Sequence, residues 1–205
     1  MTSDIHHYDN GKPLNLSEST KRQLERDAAK HFLRLYEQMY QTPMRNISHN
    51  EPSRPDISCH LDRKPLDLEI AHLYANASEA KILSREIIEQ VQGHKIPPEN
   101  SDTLEPSDTL KPSDKERELL NYLSDLFEMS SQQRLITALT RILNSKSQKS
   151  YDSPHVWLVI RNASPLWQAQ DFQQCMQHFN IPESPFEQIW LLPEFDGSQL
   201  PIRLF

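Results

Sequence analysis

Glycine is almost missing from this sequence: Gly11, Gly93 and Gly197 are its only three in 205 residues. A GxGxxG dinucleotide turn, a phosphate-cradling P-loop and a GxSxG nucleophile elbow each need glycines close together, so none of them can be built here. Cysteine is scarce as well. Cys59 and Cys175 lie far apart and no CxxC spacing occurs, which excludes a disulfide framework and the usual thiolate zinc sites. Long apolar runs are absent too. The longest, Val156 to Ile160, has five residues against the roughly 20 that a bilayer span requires. Basic residues are in deficit, with 22 Lys and Arg against 29 Asp and Glu and a formal charge of −7, which argues against a broad nucleic-acid-binding surface but leaves room for a local basic patch. The polar start MTSDIHHYDNGKP lacks the apolar stretch of a signal peptide, and the expected compartment is cytoplasmic.

What is present reads as one α/β domain over 17–205, preceded by a mobile tail over 1–16. Leu24, Ala28, Phe32, Leu35 and Met39 recur at helical steps and predict a helix that Pro43 ends. A short strand is expected around Asn46 to His49. Pro55–Leu61 and Leu66–Leu73 then alternate as strands on either side of Asp62-Arg63-Lys64-Pro65, a connection of hairpin length. With Leu61 opposite Leu66, the residues Ile57, Cys59, Leu61, Leu66, Leu68 and Ile70 share an apolar face. Asp56, Ser58, His60, Asp67, Glu69 and Ala71 share the polar one.

A helix is expected from Asn76, with Glu79 in a capping-box position and a stripe of Ile82, Leu83, Ile87 and Val91 that stops at Gly93. Residues 94–113 hold SDTLEP followed by SDTLKP and read as a flexible loop; 114–147 read as an inserted helical pair. The apolar runs at His155–Ile160 and Ile189–Leu192, separated by a helix opening at Ser164 and Pro165 and running through Phe172, Cys175, Met176 and Phe179, form a βαβ unit with parallel strands. A last short strand is expected within Ile202–Phe205.

Two carboxylates on neighbouring strands repel each other unless a cation sits between them, and hard oxygen ligands suit Mg²⁺ or Mn²⁺. Asp56 and Glu69 are therefore candidate metal ligands, although the same alternation also fits a hairpin whose polar side is merely solvated. His60 falls on that side and reads equally as a surface group. Glu69-x-x-His72 would be half of a di-iron site only on a helix with a second such pair, which the sequence lacks. Trp157, Trp190 and Phe205 read as core, and Lys146, Lys149 and Arg161 make only a loose basic cluster.

Pro55-Asp56, a hairpin and then Leu68-Glu69-Ile70 resemble the PD-(D/E)xK, or restriction-endonuclease-like, superfamily of nucleases. The resemblance implies an αβββαβ core with a mixed central sheet and helices on both faces, with Asp56 and Glu69 holding Mg²⁺ or Mn²⁺ for hydrolysis of a phosphodiester in nucleic acid. Position 71 carries lysine in the family motif and alanine here; the family alternative is a cation from the following helix, for which Lys81 or Arg85 are the candidates. Glu25 matches the optional glutamate of the first helix. Activity as a nuclease is one expectation. The other is a catalytically inactive member of the fold that binds a protein partner through its helical insertion.

Overall fold

The computed structural model describes residues 8–9, 12–13, 16–50, 55–83, 114–178, 180–194 and 199–205. Backbone contacts divide the chain into two compact units, Met1–Ala75 with Ser131–Phe205, and Asn76–Ser130. The first unit is α/β and holds every strand among the described residues.

In chain order the first unit contains β1 (Tyr8–Asp9), β2 (Lys12–Pro13), α1 (Leu16–Tyr40), β3 (Met44–His49), β4 (Ile57–Leu61) and β5 (Lys64–Leu73). The stretch expected as a mobile tail thus contains a small antiparallel pair, Tyr8 opposite Pro13 and Asp9 opposite Lys12. In the second unit, α2 occupies 77–83 and α3 spans Asp114–Glu128. The first unit resumes with α4 (Ser131–Ser147), β6 (Val156–Asn162), α5 (Ala169–Cys175), β7 (Gln188–Leu192) and β8 (Ile202–Arg203).

Six strands form one mixed sheet in the order β3-β4-β5-β6-β7-β8. β3 and β5 both run antiparallel to β4 between them, β5, β6 and β7 run parallel, and β8 closes the sheet antiparallel to β7. The parallel strands are buried on both faces, as all seven residues of β6 show, and such strands need helices on each side. On one face α1 lays Ala28, Ala29, Phe32, Leu33 and Leu35 against Ile57, Leu68, Ile70, Trp157, Val159 and Trp190. On the other face Leu135, Ala138, Leu139 and Leu143 of α4, with Phe172 and Cys175 of α5, pack on Leu73, Leu158, Ile160, Ile189 and Leu191. Trp157 and Trp190 are core, as their place in the strands implied, whereas Phe205 is 56% exposed.

The hairpin is tighter than its sequence suggested. Leu61 pairs with Lys64 and Cys59 with Leu66, so the connection is Asp62-Arg63 alone, both residues at positive φ (47° and 67°), the geometry that matches the right-handed twist of two strands. The difference in register is two residues. A shift of two preserves the alternation of side chains, so the apolar and polar faces stay as expected while Asp56 moves level with Glu69 instead of Ala71.

Two helical expectations differ from the structure. The pair over 114–147 is divided: α3 belongs to the second unit, and α4 is no insertion but a layer of the first unit's core, because its apolar stripe covers the sheet. The helix expected at Ser164 begins at Ala169 instead. Ser164 Oγ accepts the Leu166 N–H in a local turn, Trp167 is drawn into the core at 2% exposure, and the Gln168 N–H donates to Asp171 Oδ2 at 2.8 Å to start the helix. Within the second unit, Asn76 Oδ1 accepts the Glu79 N–H at 2.8 Å, the side-chain cap expected at the start of α2. The rest of the expected 77–92 helix and the 94–113 repeat loop lie outside the described residues. No helix among the described residues is long and apolar enough to cross a membrane.

Candidate active site

The ladder between β4 and β5 ends at the pair Ile57 and Leu68. One step further, the Ile70 N–H donates not to a strand carbonyl but to Asp56 Oδ2, at 2.8 Å. The carboxylate thus satisfies a backbone donor that the parting strands would leave open, and this holds Asp56 beside β5. Here the strands fork. Glu69 projects from β5 toward the α4 side with 1% exposure, the environment in which a lone carboxylate would be strongly disfavoured.

Its partners come from the end of α4. Leu135, Leu139 and Leu143 anchor that helix on the sheet, and Lys146 follows on the same stripe in the last turn, where the helix dipole favours a cation. Lys146 Nζ donates to Glu69 Oε1 at 2.5 Å and lies 3.4 Å from the Ile70 carbonyl oxygen; Lys149 Nζ reaches the same Oε1 at 2.7 Å. Burial pushes the Glu69 carboxyl up, but the two ammonium groups outweigh it and hold the acid below its ordinary range.

The other two carboxylates are held in the opposite sense. Asp56 is raised by burial and then by the charge of Glu69, against the pull of the Ile70 hydrogen bond. Glu25 occupies a place on the buried stripe of α1, one turn before Ala28 and Ala29, and is 4% exposed. Burial first and the charge of Asp56 second raise it to about 7, although Lys21 Nζ stands 3.5 Å away and His49 Nε2 3.4 Å away. One carboxylate is thus held ionised while two neighbours, chiefly through burial, resist ionisation.

These groups line one open cleft of about 390 Å³, together with Ala71, His72 and Arg141. Three carboxylates (Glu25, Asp56, Glu69) face four basic side chains (Lys21, Arg141, Lys146, Lys149) there, so the cleft is net cationic in a chain of charge −7.

Among the described residues no group of three or more His, Cys, Asp and Glu side chains converges as a metal centre. Mg²⁺ asks for less. It is commonly held by one or two carboxylates and keeps several waters, and the all-oxygen pair Asp56 and Glu69 fits that requirement. Asp56 itself and the neighbouring Glu25 are the raised carboxyls whose ionised forms an added cation would favour.

No family model, curated protein or solved structure matches this chain significantly.

Of the five residues that the resemblance singles out, Asp56, Glu69 and Glu25 line the same cleft. Lys81 belongs to the second unit, and Arg85 lies outside the described residues. Among the described residues, the cations at Glu69 are Lys146 and Lys149, 77 and 80 residues further along the chain. Lys146 carried a signal in its place on the α4 stripe; Lys149, beyond the helix end, carried none. His60 does not line the cleft.

Proposed function

We propose that this chain is a divergent nuclease domain of the restriction-endonuclease-like type, hydrolysing a phosphodiester with Mg²⁺ or Mn²⁺. The observation that carries the reading is Asp56 and Glu69 lining one cleft where the β4–β5 ladder ends, with Lys146 on Glu69 Oε1. The order α1, β3, β4, β5, α4, then β6 parallel to β5, supports it too, because within the first unit it is the element order of an αβββαβ core. Ala71 leaves the motif position without a charge. Lys146 and Lys149 bring two ammonium groups to the same cleft from α4 and the segment that follows it.

Asp56 and Glu69 would hold the metal ion, which supplies an acidified water and stabilises charge on the phosphoryl oxygens. The chain's own groups do the rest. Lys146 and Lys149 attract and orient the substrate phosphate, a task suited to point charges on flexible stems. Glu25, with its carboxyl near neutrality, exchanges a proton with water inside the cleft at physiological pH. Nucleic acid is the partner this chemistry implies. A cytoplasmic setting belongs to the same proposal, supported by two cysteines that are free and buried.

A second reading is favoured by one observation: both lysines already pair directly with Glu69, so the protein itself neutralises the acid that would bind metal. On that reading the chain is an inactive member of the fold, acting as a binding module.

Calorimetry with Mg²⁺ and Mn²⁺, run beside cleavage of single- and double-stranded DNA and RNA, decides between them. The nuclease reading expects metal binding and metal-dependent cleavage that Asp56→Ala and Glu69→Ala both abolish. No heat and no cleavage leave the inactive module.

A further inference from the structure

His72 stands on β5 two residues beyond Ile70, on the same face of the strand, and is one of the residues that line the cleft. Both Nδ1 and Nε2 are buried, and neither has a hydrogen-bond partner among the described residues. That is an unusual condition for an imidazole. A neutral ring carries one N–H donor and one acceptor, and burying both unpaired is unfavourable unless a ligand satisfies them. Among the described residues the ring makes an aromatic contact with Tyr74, tilted and at 6.5 Å between centroids, which uses neither nitrogen.

The surroundings say what kind of ligand atom fits. Arg161, 7% exposed, is the direct neighbour of His72 across the β5–β6 ladder. Arg161, Lys146 and Lys21 add positive charge and, with burial as the larger cause, push the imidazole down to about 3. A neutral N–H donor in a positive field is matched by an anionic acceptor. Along an extended strand, two residues span about 7 Å, so His72 lies roughly one nucleotide step from Ile70, whose N–H holds Asp56.

We propose that His72 is a substrate-contacting residue that donates an imidazole N–H to an oxygen of the phosphate adjacent to the one cleaved. This deepens the proposed function and rests on the same cleft taking a nucleic-acid backbone. His72 plays no part in the chemical step. It sets affinity and register along the strand.

The test uses the full-length chain, His72→Leu and His72→Gln, with a fluorescein-labelled single-stranded oligonucleotide as probe, in DNA and RNA forms. Anisotropy in EDTA reads binding without cleavage, Mg²⁺ assays read KM and kcat separately, and thermal unfolding reads the fold without any substrate. His72→Leu is expected to raise Kd and KM about tenfold, the loss of one hydrogen bond to a charged group, with kcat within about threefold of the natural chain. Its melting temperature should hold or rise, because an unpartnered buried polar group has been removed; His72→Gln, which keeps an N–H donor, should recover most of the affinity. Unchanged binding by His72→Leu overturns the proposal, and so does a melting temperature several degrees lower, which would mark a structural histidine. The two levels separate cleanly: tenfold weaker binding in a chain that never cleaves keeps His72 and sinks the nuclease, whereas Asp56-dependent cleavage with unaltered His72→Leu binding does the reverse. A natural chain that neither binds nor cleaves sinks both.

Discussion

Lys146 Nζ sits 2.5 Å from Glu69 Oε1, tying the last turn of α4 to the middle of β5 across 77 residues of sequence. Glu69 is 2% exposed at its side chain and Lys146 20%. Removing the cation from a buried pair leaves an uncompensated charge, which typically is strongly destabilising. Lys149 remains at 2.7 Å and softens the loss. Lys146→Met is therefore expected to destabilise the chain by about 1–2 kcal/mol in urea unfolding and, if the cleft cleaves phosphodiesters, to lower kcat about 100-fold or more. In the double variant with Glu69→Gln the stability losses should be clearly less than additive, since each removes the same interaction. Additive losses would mean that the pair is not coupled.

Asp56 has two separable tasks. It accepts the Ile70 N–H at 2.8 Å, and it is offered as a metal ligand. Asp56→Asn retains an oxygen acceptor for that N–H but no charge, whereas Asp56→Ala removes both. Stability should fall by about 1–2 kcal/mol in Asp56→Ala, the cost of an unsatisfied strand donor, and much less in Asp56→Asn. Calorimetric Mg²⁺ binding should be weakened in both. Equal stability of the two variants would show that the Ile70 hydrogen bond contributes nothing.

The route from sequence to site was direct where alternation decided it. The β4–β5 hairpin was legible because one face is apolar and the other polar, and a register shift of two residues could not change which side Asp56 and Glu69 occupy. Glu25 was legible as a helix-edge acid; that it lies on the buried stripe depends on where α1 meets the sheet. Lys146 and Lys149 were not legible as the partners of Glu69. Nothing local distinguishes a lysine that reaches a distant carboxylate from one that is solvated, and the contact depends on how α4 seats on the sheet. The start of α5 was misjudged for a related reason: Ser164-Pro165 is a good local helix opening, but burial of Trp167 and the Asn162 hydrogen bonds to the Trp167 and Pro193 carbonyls redirect the backbone.

Seating of α4 has its own test. Leu139 is 1% exposed between α4 and the sheet, while Phe127 on α3 is 87% exposed. Leu139→Ala should lose about 2–4 kcal/mol through the cavity it leaves, and it should also loosen Lys146 at Glu69. Phe127→Ala should change stability by less than about 0.5 kcal/mol, as surface substitutions do. Comparable losses in the two would contradict the placement of α4 as a core layer.

Glu25 makes the fold sensitive to pH in a direction opposite to that of a salt-bridged acid. Its carboxyl is raised from 4.5 to about 7, by burial and then by the charge of Asp56, so the folded chain holds this proton more tightly than the unfolded one. Between those two values the folded state is protonated at Glu25 and the unfolded state is not; stability from this group is therefore fully present below about 4.5, falls as pH rises through the window, and is lost above about 7. Glu25→Gln is permanently neutral and removes the dependence. Urea unfolding in EDTA at about pH 5 and about pH 8 should show the natural chain losing more stability on alkalinisation than Glu25→Gln does, with the variant the more stable at the higher pH. Parallel profiles for the two proteins would mean that Glu25 ionises as an ordinary surface acid, and that Lys21 and His49, at 3.5 and 3.4 Å, already supply the charge its burial requires.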